Sequence, residues 1–188
     1  PFVDVSLRVT LKGPEGYSVF DGFYDGGDTF KVRYMPQTEG HYALTVQSNL
    51  PGLNGQTAEF DVTAPSADNH GPVVVDGMHF RYADGKRFFV MGTTAYVWHY
   101  RPAEIRAKTL DTFTKFGFNK IRMLFFPKHY TGQTSGLDVS YEPPCYPFMG
   151  EPKHFDFRRP NPAYFAAFED RLREMEEREI IADVILFH

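Results

Sequence analysis

The sequence predicts a two-part chain: an immunoglobulin-like (Ig-like) β-sandwich over residues 1–63, a linker over 64–72, and a parallel α/β unit over 73–188. Three observations predict it. Apolar residues recur with period two through the first third. A polar stretch broken by Pro and Gly follows, Ala64 to Pro72. Beyond it, near-continuous apolar strands alternate with amphipathic helical patterns, the texture of a parallel sheet.

The first strand reads from Val3 to Leu11, where odd positions are apolar and even ones polar. Such a strand buries one face. Phe30, Val32 and Tyr34 repeat the pattern, as do Tyr42, Leu44 and Val46, and then Ala58, Phe60 and Val62. Turn chemistry separates them at Lys12 to Gly16, Asp25 to Asp28, Glu39-Gly40 and Pro51 to Gly55. Short alternating strands without an intervening helix predict the sandwich.

In the second part, Asp76-Gly77 and Ala83 to Lys86 are hairpin turns. Phe88 to Val97 reads as a strand buried on both faces. Pro102 opens a helix with a stripe of Ile105, Thr109, Phe113 and Phe116, closed by Gly117. Asn119 to Phe126 is the next strand, and 127–160 a long loop. Asn161 caps a second helix, with Phe165, Phe168, Leu172 and Met175 on one face, and Ile180 to Phe187 is the third strand. Three parallel strands fit a doubly wound sheet as well as part of a barrel. The first strand-to-helix turn, Tyr96 to Pro102, has no glycine to admit a phosphate.

Composition narrows the function classes. Of 188 residues, 42% are hydrophobic and 23% charged, with net charge −4. A nucleic-acid protein would carry a basic stripe, so no such partner is expected. No apolar run approaches the roughly 18 residues of a membrane span. Aromatics reach 16%, with 19 Phe, 11 Tyr and one Trp, which suits sugar stacking as well as core filling. The single cysteine, Cys145, has no internal disulfide partner.

In a parallel α/β fold, function sits at the carboxyl ends of the strands. The first strand runs into Tyr96, Trp98, His99 and Tyr100, readable as a sugar subsite or as a packed rim. Arg122 interrupts the second strand, where a guanidinium is costly unless a carboxylate pairs with it. It would orient an anionic catalytic group or make a structural ion pair. The third strand ends in His188, which would enter the pocket or serve as a capping residue. Trp98, Arg122 and His188 are expected to converge on one rim. His129, Cys145, His154 and His188 have no metal-ligand spacing, so no metal and no cofactor is expected. No Gly-x-Ser-x-Gly elbow is present. Asp138, Glu142 and Glu151 read as solvated loop carboxylates.

Residues 1–63 resemble the sandwich module called domain of unknown function 5060, through Pro1 to Val5, Gly22-Phe23-Tyr24-Asp25-Gly26 and Val32-Arg33-Tyr34-Met35-Pro36. From about residue 72 the chain is similar to clan A glycoside hydrolases, family 5-type glucanases and apiosidase-like proteins. The stretches that carry this likeness are His79 to Gly85, Gly92-Thr93-Thr94-Ala95-Tyr96, Phe118 to Met123, Asn161 to Phe165 and Ala182 to His188. The resemblance implies a truncated (β/α)8 barrel, its first three strands, after the Ig-like sandwich. It also implies that Arg122 braces a nucleophile and that His188 touches sugar. The clan's two catalytic carboxylates follow strands four and seven, so the resemblance places none within this chain. The start at Pro1 without Met and the end at His188, directly after a strand, suggest cuts inside a longer protein. The resemblance implies that the longer protein is a secreted or periplasmic bacterial hydrolase acting on a poly- or oligosaccharide. A non-catalytic carbohydrate- or matrix-binding protein on the same scaffold is the alternative, and a structural spacer fits residues 1–63 alone.

Overall fold

The computed structural model describes residues 2–127 and 142–187, and the chain divides into two compact units, 1–71 and 72–188.

The first unit is built on one antiparallel sheet. Its strands are β1 (Leu7–Gly13), β2 (Gly16–Asp21), β5 (Gly40–Ser48) and β6 (Thr57–Val62), in the order β2-β1-β5-β6. A separate hairpin pairs β3 (Phe23–Gly26) with β4 (Thr29–Lys31). The period-two pattern of β1 sends Val9 and Leu11 into the core, where Tyr42 of β5 joins them. The Tyr42 ring stacks on Phe60 at 5.4 Å and 6°, and its hydroxyl donates to the Thr38 carbonyl at 2.8 Å. Gly13 leaves room for this ring: a Cβ there would lie 2.2 Å from Tyr42 Cε1. The ring is buried and tethered at its hydroxyl, so it cannot swing away. Gly13→Ala is therefore expected to destabilise the unit by about 1–3 kcal/mol, read as a lower urea midpoint, with Gly52→Ala as the comparison because nothing lies within 4 Å of its Cβ position and its backbone is not left-handed.

In the second unit, β7 (Val73–Asp76), β8 (His79–Tyr82) and β9 (Arg87–Phe88) form an antiparallel sheet. Then come β10 (Gly92–Thr94), a 3₁₀ turn (Trp98–Tyr100), α1 (Ala103–Lys115) and β11 (Lys120–Leu124). A hairpin of β12 (Phe148–Glu151) and β13 (His154–Pro160) precedes α2 (Pro162–Glu176) and β14 (Ile181–Ile185). The strands β10, β11 and β14 pair in parallel, in that order, with Arg122 opposite Thr94 on one side and Asp183 on the other. Asn161 caps α2, its side chain accepting from the Ala163 N–H at 3.2 Å. The core joins Trp98, Leu110, Ile121, Met123, Phe168, Met175 and Ile180.

An Ig-like β-sandwich followed by a truncated (β/α)8 barrel is not the architecture. The described residues form mostly small antiparallel sheets with two α-helices, a β-rich fold without a (β/α)8 barrel. Alternation marks which face of a strand is buried, but it is silent on whether a second sheet or a closed barrel does the burying. In the first unit, the connection from residue 22 to 39 yields only the two-stranded β3-β4 hairpin beside the four-stranded sheet. Local expectations shift too. Residues 2–4 form a turn, so the first strand starts at Leu7. The expected strand through Tyr34 ends at Lys31. The run from Phe88 to Val97 is split, leaving Phe89 and Met91 exposed, because the Asn119 side chain donates to the Phe89 carbonyl at 2.6 Å and accepts from the Met91 N–H at 2.8 Å. Ile105 and Phe116 are exposed while Leu110 is buried, so α1 is rotated from the expected stripe. The stretch expected as loop contains β12 and β13, pinned by Phe148 edge-on to Phe157 at 5.2 Å.

Candidate functional site

The parallel sheet has two chemically different faces. Successive side chains of a strand point to opposite sides. Ile121 and Met123 of β11, with Ala182 and Val184 of β14, pack into the core with residues of α1 and α2. Lys120, Arg122 and Asp183 occupy the other face. Asp183 Oδ2 accepts from Arg122 Nε at 3.0 Å and lies 2.9 Å from both Arg122 Nη2 and Lys120 Nζ. The hydrogen bond from Lys120, then that from Arg122, holds the Asp183 carboxyl below its ordinary range against the opposing effect of burial. Asp183 is thus a fixed anion, suited to bracing cations and unsuited to donating a proton near neutral pH. Lys120, Arg122 and Asp183 together are two cations on one carboxylate, and the Arg122 side chain remains 52% exposed. The guanidinium can still reach a further anionic group.

The other expected site residues are distributed differently. Tyr96 follows β10, is 40% exposed, and accepts at its carbonyl from the Leu124 N–H at 3.0 Å. Trp98 is 3% exposed and belongs to the core with Ile121 and Met123, its Nε1–H donating to the Arg106 carbonyl at 3.2 Å. Trp98 and Arg122 therefore lie on opposite sides of the sheet and do not share a rim. His99 is 5% exposed beside Tyr164. His188, like His129 and Asp138, lies outside the described residues. Glu142 is engaged by the Tyr146 hydroxyl. Lys120 and Asp183 were not singled out from sequence. The signal for them is register: Lys120-Ile121-Arg122 aligns with Ile181-Ala182-Asp183, placing opposite charges side by side once the strands are parallel.

His99 carries a pH consequence. Burial first, and the nearby Arg171 cation second, lower its pKa from 6.5 to about 4. Above the ordinary value both folded and unfolded chains hold it neutral, and the contribution to stability is complete. As pH falls from 6.5 to about 4, the unfolded chain takes up a proton that the folded one refuses. Stability should fall across that window by up to roughly 3 kcal/mol, at about 1.4 kcal/mol per unit. Urea unfolding at stepped pH checks this: the slope should be much smaller in His99→Phe, and an equal slope would remove His99 as the cause.

Among the described residues, no group of three or more His, Cys, Asp or Glu side chains could hold a metal ion, and no helix is long and apolar enough to cross a membrane.

The comparisons with known proteins are concordant. The domain of unknown function DUF5060 matches residues 1–49, and the family described as apiosidase-like, catalytic domain, matches residues 75–188. A crystal structure of a candidate glycoside hydrolase from Bacteroides vulgatus ATCC 8482 superposes with a TM-score of 0.87 at 38% identity, over 98% of this chain. The chain spans 37% of that protein's length. Among curated proteins, none matches.

Proposed function

Because the chain belongs to the apiosidase-like catalytic-domain family, we propose that it forms part of a glycoside hydrolase acting on O-glycosidic bonds of a poly- or oligosaccharide. The observation that carries the reading is the family match across the second unit, supported by the likeness to the Bacteroides protein. That the chain is related to glycoside hydrolases is plain from these matches. The finer assignments are our own.

The exposed guanidinium of Arg122, braced by Asp183 and Lys120, orients an anionic catalytic group, and Tyr96 and His188 contact sugar. On the resemblance to clan A hydrolases, whose two catalytic carboxylates follow strands four and seven, the pair that flanks the bond falls outside residues 1–188. Trp98 and His99 act from beneath, as buried supports for the segment that presents Tyr96. The enzyme would meet its polysaccharide outside the cytoplasm, secreted or periplasmic.

A second reading is a non-catalytic carbohydrate- or matrix-binding protein on the same scaffold, since a fold does not fix its function. The test is a panel of plant and microbial polysaccharides and oligosaccharides incubated with the natural protein that carries this chain, followed by reducing-end release. Release of reducing ends from at least one substrate is the expected result. Binding to a polysaccharide without release from any would replace the enzyme by the binding protein.

A further inference from the structure

A second polar site lies on the helical side of the second unit, away from the face that bears Arg122. A cavity of about 120 Å³ is lined by residues that include His99, Arg106, Cys145, Tyr164, Phe168 and Arg171. On the same measure a single water needs roughly 10–15 Å³, so there is room for a small molecule.

The cavity wall holds two unsatisfied atoms of opposite kind. The Tyr164 hydroxyl donates to the Phe125 carbonyl. Its single proton being used there, its oxygen accepts from His99 Nε2–H, 3.1 Å away. That fixes the tautomer: His99 Nδ1 carries a lone pair. Among the described residues no group donates to it, and none accepts from Arg171 Nε–H. Leaving buried polar atoms unpaired is costly, and His99 is 5% exposed. Edge-to-face contact with Phe168, ring centres 5.2 Å apart, holds the imidazole in place.

Charge then selects among ligands. The guanidiniums of Arg106 and Arg171 have side chains 14% and 20% exposed, and both lean on one carboxylate, Glu174, at 3.3 and 2.8 Å. Two mostly buried cations share one anion, so a second anion would relieve the imbalance. A carboxylate accepts from Arg171 Nε–H, and an adjacent hydroxyl donates to His99 Nδ1. We propose that this cavity binds a small hydroxy-carboxylate through His99 and Arg171. The proposal is independent of the glycosidase reading, which concerns the opposite sheet face.

Cys145, the chain's single cysteine, lines the same cavity and reports its occupancy. The experiment is maleimide alkylation of Cys145 in the intact chain, with glycerate, glycerol and acetate as probes. At ten times its Kd, glycerate should slow alkylation roughly tenfold by mass action. Glycerol, which lacks the carboxylate, and acetate, which lacks the hydroxyl, should protect far less. Arg171→Gln, which leaves Glu174 its ion pair with Arg106, should abolish protection without unfolding the chain, and His99→Phe should do the same wherever circular dichroism matches wild type. Absence of saturable protection by glycerate, equal protection by glycerol and acetate, or undiminished protection in Arg171→Gln would each overturn the proposal.

Discussion

On the proposed glycosidase reading, replacing Arg122 by alanine is expected to lower kcat/KM of the natural protein that carries this chain by about 10²–10³-fold, the usual cost of removing one preorganised charge from a reacting centre. The fold should survive. Arg122 is half exposed, and Asp183 keeps Lys120 as a partner at 2.9 Å. The loss of an exposed ion pair costs about 0–1 kcal/mol, too little to unfold a domain. Arg122→Lys should recover only part of the activity, because an ammonium lacks the planar fork that holds Asp183 and a second anion together. Steady-state kinetics beside a urea melt separates the two effects. Activity within about twofold of wild type, less than half a kcal/mol at the transition state, would leave Arg122 with a structural role alone.

Trp98→Ala is expected to cost about 3–5 kcal/mol of stability, a large share of the roughly 5–15 kcal/mol that holds a domain together. The indole is 3% exposed, packs with Leu110, Ile121 and Met123, and satisfies its N–H on the Arg106 carbonyl. Trp98→Phe keeps most of the apolar area and forfeits about 0.5–1.5 kcal/mol with the hydrogen bond. Because Trp98 is the sole tryptophan, its own emission in the wild type checks the placement. It should be blue-shifted and shielded from iodide until urea unfolds the chain. A stable Trp98→Ala variant with weakened polysaccharide binding would return the indole to the substrate surface.

Much of the local structure was legible. The alternation of Val9 and Leu11, and of Tyr42, Leu44 and Val46, marks strands that the sheet contains, and Asn161 caps the helix it precedes. The site was legible in part. The expectation of a carboxylate beside Arg122 came from its place in an apolar strand; Asp183 is that partner, although the strand leaves the guanidinium half exposed. The split of the Phe88 to Val97 run was not legible, because it depends on an asparagine about 30 residues away reaching back with both ends of its amide. The hairpin of β12 and β13 was obscured by the Pro- and Tyr-rich stretch around it, although Phe155 and Phe157 alternate within it.

By itself the sequence determined the residue types, the periodicities and the caps, since these depend on each residue and its neighbours within a few positions. It also raised the expectation of an anion beside Arg122. Only the tertiary structure decided which anion that is, that Trp98 turns toward the helices while Arg122 turns away from them, and that the described elements form small, mostly antiparallel sheets without a (β/α)8 barrel. Strand alternation supplies two faces without saying which one a partner covers, and the side of the sheet on which a helix packs is set by the handedness and length of the whole crossover.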